Sequence, residues 1–169
     1  MIEKKFLHRR PTRHTDGHQK TPKSYEPRSF SREKVRGEPS GHDGYLKFMP
    51  LGGCGEVTRS CYVYEYKDDI VIIDMGLQWP DENMPGIDYL IPNVSALQSK
   101  KKNIRGVIIT HGHYDHIGAI PHLLEPLGYP PIYATALTRG MILKRQEDFP
   151  RFKKPKIELI TTESRLKLG

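Results

Sequence analysis

The stretch IRGVIITHGHYDH, residues 104–116, constrains this chain more than any other part of it. An apolar run rich in β-branched residues passes directly into three histidines and an aspartate. β-Branched side chains favour a strand, and apolar residues at consecutive positions favour one that is buried on both faces. His111, His113, Asp115 and His116 then leave the end of that strand together. A His-x-His-x-Asp-His pattern arises by chance in about one in a thousand chains of this composition. The cluster therefore reads as a site rather than as a patch of solvated polar residues.

Spacing narrows its chemistry. Alternate side chains of an extended segment share one face, whereas residues two apart on a helix do not. His111 and His113 can thus converge on one ion. Asp115 and His116 are adjacent and diverge unless the backbone turns sharply. The economical arrangement has two ions, one on His111 and His113 and its neighbour on Asp115 and His116. Imidazoles mixed with a carboxylate suit Zn2+, with Mn2+ as the alternative. Two ions about 3.5–4 Å apart can activate one water held between them, the chemistry of phosphodiester or activated acyl hydrolysis. Such a pair takes about six to eight protein contacts, and this cluster offers four. The remaining ligands are expected beyond Gly169, so these residues alone should bind metal weakly and catalyse little.

Three other positions have two readings each. Asp74 closes the apolar run DIVIIDMG, where it either caps a turn or accepts a hydrogen bond that orients a ligand imidazole. The glycines of GGCGE either form a tight turn between strands or cradle a phosphate with backbone N–H groups. His122 falls on the apolar-periodic segment after the cluster, and it reads as a half-buried helix residue rather than a ligand.

From Gly44 onward strand and helix signals alternate, which predicts an α/β protein with helices packed on a sheet. YLKFMPL, CYVYEYK, DIVIIDMG, IRGVIIT, PPIYAT and KIELIT read as strands, with a hairpin at Lys67-Asp68-Asp69. WPDENMPGIDYLIP reads as a long loop. NVSALQSKKK, IGAIPHLLEPLG and ALTRGMILKRQEDF read as helices, with Pro121 tolerable in a first turn. ESRLKLG looks like a turn entering a fresh strand, so the chain reads as the front part of a longer polypeptide.

Residues 1–43 are different in kind. They carry 11 Lys or Arg against 6 acids, a balance of +5, with few aliphatic residues. Such a segment cannot bury enough apolar surface to offset its ordering entropy, so it reads as a disordered basic tail. It would either hold phosphate backbones electrostatically or have no partner. His8, His14, His18 and His42 at this end read as solvated. The opening MIEKKFLHRR has charge without an apolar core, so it does not read as a secretory signal. No apolar run approaches the ~20 residues that span a bilayer. Cys54 and Cys61 have no Cys-x-x-Cys spacing and read as free thiols in a reducing cytoplasm.

His111-x-His113-x-Asp115-His116 after a strand, with Asp74 on an earlier one, resembles the metallo-β-lactamase superfamily. PLGGCGEV, IDMGLQWPDENMPGIDYLIPNVSAL and THGHYDHIGAIPHLL narrow the resemblance to ribonuclease J and its β-CASP branch. Residues 45–169 would then be the N-terminal part of an αββα sandwich with a dinuclear zinc site at one edge of the sheets. The resemblance implies His111 and His113 on one zinc, Asp115 and His116 on the other, and Asp74 in support. It also implies cytoplasmic RNA processing and decay by 5′-to-3′ exonuclease and endonuclease activity, in homodimers or homotetramers. Tyr114 departs from the family, which often has an acid there, and Cys54 stands in place of a small aliphatic residue, which implies that it packs in the core. A thioester or lactone hydrolase on the same scaffold, and an RNA-binding chain without catalysis, are the competing readings.

Overall fold

The computed structural model describes residues 44–169, and the basic tail expected over residues 1–43 lies outside the described residues. Six strands form one mixed sheet in sequence order. Strands β1 (Leu46–Gly52), β2 (Cys61–Tyr66) and β3 (Asp69–Ile73) are antiparallel neighbours. Strands β4 (Ile104–Ile108), β5 (Ile132–Ala134) and β6 (Ile157–Leu159) continue the sheet in parallel with β3. Parallel neighbours need crossovers, and helices lie on all three. Between β3 and β4 comes α1 (Ser95–Gln98), between β4 and β5 come α2 (Tyr114–Ile117) and α3 (Ile120–Leu123), and between β5 and β6 comes α4 (Ala136–Glu147). The α/β class expected from the sequence is the one observed. The described residues form one mixed sheet together with its helices.

The two faces of the sheet differ. Val63 pairs with Ile72, and Ile72 with Val107, which pairs in turn with Ile132. These residues share one face and are fully buried, in one cluster with Leu97, Ile117, Ile120, Leu123 and Ile142 of the helices. Each such Ile or Leu contributes about 1.5–3 kcal/mol by leaving water. Alternation puts Phe48, Tyr62, Tyr64, Val71 and Ile73 on the opposite face. There Phe48 is 51 % exposed and Tyr64 is 37 % exposed, and their rings meet at 5.1 Å.

Local sequence explains most boundaries. CYVYEY and DIVII meet at Lys67, which takes φ 53° to close the hairpin. Thr135 caps α4 by accepting from Thr138 N, and Lys144 and Arg145 sit in its last turn, against the negative end of the helix dipole. Glycines at 53 and 55 take φ 79° and 76°, so GGCGE is a turn, beside the irregularity in β1 pairing between Pro50 and Gly52.

Three expectations need correction. The helix expected over IGAIPHLLEPLG is two separate turns, and the first begins earlier, at Tyr114 inside the histidine cluster. Pro121 has no N–H to continue the ladder, and Ala119 N bonds to Met75 O instead of the preceding turn. ESRLKLG enters no strand. Cys54 is exposed in the glycine turn rather than packed in the core, while Cys61 is buried, which pushes its thiol up to about 12. No helix among the described residues is long and apolar enough to cross a membrane.

Candidate metal centre

Strands β3 and β4 are parallel, so their carboxyl ends lie at the same edge of the sheet, where open α/β sheets place their ligands. Asp74 follows β3 and Thr110–His113 follows β4. Asp74 N donates to Ile108 O, which keeps the two strand ends together. Asp74 is 1 % exposed and takes φ 64°, a left-handed conformation that Asp tolerates better than most residues.

The backbone beyond β4 turns where it must. His113 is extended, and Tyr114–Ile117 then forms one helical turn. The carbonyls of that turn are held from behind, with Tyr114 O accepting from Leu77 N, Asp115 O from Ser60 N and His116 O from Met75 N. This contact is close at Gly76, where any Cβ would overlap the Asp115 carbonyl oxygen. Four side chains that the sequence singled out thereby meet. His111 Nε2 lies 3.2 Å from His113 Nδ1, and His116 Nε2 lies 3.4 Å from Asp115 Oδ2. The His111 and His116 rings are 4.0 Å apart between centroids. Asp115 and His116 do not diverge, because the helical turn brings their tips to one side.

The Nδ1 nitrogens of two of these rings have partners on the protein side. The Asp74 carboxylate accepts from Thr110 N at 2.8 Å and from Thr110 Oγ1 at 2.8 Å. It also faces His116 Nδ1 at 2.8 Å, and since a carboxylate only accepts, Nδ1 carries the proton. Thr110 has given its one hydroxyl proton to Asp74, so towards His111 Nδ1, 3.1 Å away, its oxygen accepts. Nε2 of each ring is turned to its pair, Asp115 Oδ2 for His116 and His113 Nδ1 for His111.

The donor set suits a cation. Among the described residues no group of three His, Cys, Asp or Glu side chains is arranged to hold an ion by itself. What the chain presents is two pairs. Two ligands at about 2.0–2.1 Å from one tetrahedral ion lie about 3.4 Å apart, which is close to the spacing of both pairs. Asp74 combines the two readings left open for it, since it bonds the turn at Thr110 and the ring of His116. Thr110 carries no metal-ligand signal in the sequence, and its role appears only once Asp74 is set beside it. His122 stays apart, on α3, with its Nε2 2.8 Å from the Tyr89 hydroxyl. Burial, then the charges of Arg145 and Arg151, hold its pKa below the ordinary value.

The glycine turn has its own internal partners. Glu56 accepts from Gly53 N and from both Arg59 Nε and Nη2, and the Arg59 bond holds its carboxyl below the usual range. The backbone there is tied to a carboxylate, which does not favour an anion cradle.

Comparison with known proteins identifies the family. Ribonuclease J of Thermus thermophilus is 38 % identical over 117 residues, which is 67 % of this chain and 20 % of that protein. Ribonuclease J of Synechocystis is 32 % identical over 124 residues, 73 % of this chain and 19 % of the relative. Ribonuclease J of Helicobacter pylori is 44 % identical over 97 residues, 57 % of this chain and 14 % of the relative. The chain thus spans about a fifth or less of the length of these relatives. Among solved structures, the metallo-β-lactamase fold protein YhfI of Bacillus subtilis aligns with a TM-score of 0.43 at 20 % identity, over 73 % of this chain and 49 % of that one. Residues 54–166, which contain both strand ends and all four donors, match the profile of one family. The chain belongs to the metallo-β-lactamase superfamily.

Proposed function

We propose that the whole protein is a metal-dependent ribonuclease of the ribonuclease J type. The observation that supports this most directly is the pairing of donors at 3.2 Å and 3.4 Å on the strand ends of a chain akin to ribonucleases J. His111 and His113 would hold one divalent ion, and Asp115 and His116 a second, with Zn2+ favoured by the imidazole-rich set and Mn2+ as the alternative. Bound there, such ions would neutralise phosphate charge and lower the pKa of water towards about 7. The chain's own groups do the orienting. Asp74 keeps the proton on His116 Nδ1, and Thr110 keeps it on His111 Nδ1, so both rings offer Nε2. Four donors are about half of what two ions take, and the rest would come from further residues of the whole protein.

RNA is the proposed substrate, cleaved by 5′-to-3′ exonuclease and endonuclease action during RNA processing and decay. Cytoplasmic location, homodimeric or homotetrameric assembly and a basic arm in residues 1–43 that holds RNA are carried by the resemblance and the charge of the sequence. The 169 residues alone are expected to be inactive. The deciding experiment incubates the purified whole protein with 5′-monophosphorylated RNA, a thioester and a lactone, with and without a chelator. Chelator-sensitive release of mononucleotides supports the reading. Turnover of the thioester or lactone with intact RNA would replace it by the acyl hydrolase.

A further inference from the structure

Tyr114 lies between two metal donors in sequence yet takes no part in the donor pairs. The helical turn that brings Asp115 and His116 together sends the Tyr114 ring outward, where it is 41 % exposed. Trp79, from the Pro- and Asp-rich loop after β3, reaches the same place and is 56 % exposed. The two rings meet at 6.4 Å with a tilt of 51°. They line a cavity of about 510 Å3 whose wall also includes His113, Asp115, Leu77 and Met141. This volume is within the range of about 300–1,000 Å3 typical of small-ligand sites. The buried guanidinium of Arg145 lies 5.1 Å from the centre of the Tyr114 ring and supports it from the protein side.

Large aromatic rings left wet beside candidate catalytic donors need a reason. Both have a π-face and a polar tip, and both line the same space as two of the donors. A fatty or thioester chain would be served by aliphatic walls, whereas flat rings suit a flat partner. Base-on-ring stacking contributes to single-strand binding irrespective of sequence, because every base has a π-face.

We propose that Trp79 and Tyr114 form a stacking wall for the base of the nucleotide whose phosphate lies at the His113–Asp115 donors. The proposal rests on the ribonuclease reading above and adds a base subsite to it.

The test uses the whole protein and single-stranded 5′-phosphorylated RNA. Tyr114→Ala and Trp79→Ala are each expected to raise KM about tenfold, the loss of one stacked base. Tyr114→Phe, which keeps the ring, stays within about twofold of the wild type. An RNA abasic at the cleavage position loses a similar factor with the wild type, and that loss does not add to the one from Tyr114→Ala. With catalysis blocked by a chelator, RNA should quench Trp79 emission, read as the difference between the wild type and Trp79→Phe. If RNA is cleaved but both Ala variants keep the wild-type KM, the wall is wrong and the ribonuclease reading stands. Equal losses in Tyr114→Phe and Tyr114→Ala would also overturn it, since stacking needs only the ring. Failure of the wild type to cleave any RNA removes the ribonuclease reading, and the wall with it.

Discussion

Asp74 and Thr110 stand at the ends of adjacent parallel strands and are joined three times, by Thr110 N to Oδ1 at 2.8 Å, Thr110 Oγ1 to Oδ1 at 3.1 Å and Thr110 Oγ1 to Oδ2 at 2.8 Å. Through that one hydroxyl the buried carboxylate reaches His111 as well as His116. The carboxylate thereby orients two rings while touching only one of them.

Thr110 should consequently behave as a positioning residue. Thr110→Val keeps the shape of the side chain but removes the relay, so His111 can flip its proton to Nε2. Metal affinity of the whole protein, measured by chelator competition, is expected to fall about 10- to 100-fold. Thr110→Ser should restore most of it. Equal affinity in the Val variant and the wild type would show that the hydroxyl orients nothing.

His113 is exposed and holds no buried group, so its removal should separate chemistry from folding. His113→Ala is expected to abolish RNA hydrolysis by the whole protein while the apo-protein Tm shifts by no more than about 0.5 kcal/mol equivalent. A fully active variant at unchanged metal content would remove His113 from the site.

Gly76 is held for space rather than for backbone freedom. A Cβ there would overlap the Asp115 carbonyl and crowd Ser60 N, the two groups that fasten the donor loop to the sheet. Gly76→Ala is expected to destabilise the fold by about 1–3 kcal/mol or more, read in urea denaturation, and to weaken metal binding with it. Unchanged stability would mean that the loop yields freely.

His122 gives a pH signature separate from the donor cluster. Its folded pKa lies below the ordinary value, because burial and Arg145 disfavour the charged ring. The unfolded chain thus binds the proton more readily than the folded one. Stability is full above the unfolded value of about 6.5 and is lost as pH falls through the folded value. In His122→Gln that part of the slope of Tm against pH, which lies below about 6.5, should disappear. An unchanged slope would assign it to other groups.

Much of this was legible because the chemistry is local. Val107–Ile109 reads as a buried strand from its composition, and the donors follow it without a gap. The helical turn at Tyr114–Ile117 was not legible, since its carbonyls are satisfied by Ser60, Met75 and Leu77, residues that no local pattern places there. Thr110 was missed for the same reason, because a threonine at a strand end has no signal until a carboxylate from another strand is beside it. The break before Pro121 follows from the ring itself, yet apolar periodicity from Ile117 to Leu127 runs straight across it. Cys54 misled because it stands in place of a small aliphatic residue of the family, and the glycine turn carries it outward.

The wet side of the sheet, where Phe48, Tyr62 and Tyr64 stand, bears on the order of assembly. Whatever second layer settles on those rings gains mainly by expelling water, so it recognises contour rather than charge. A partner of matching shape would therefore dry those rings out, and its arrival should be read as a fall in their solvent exposure.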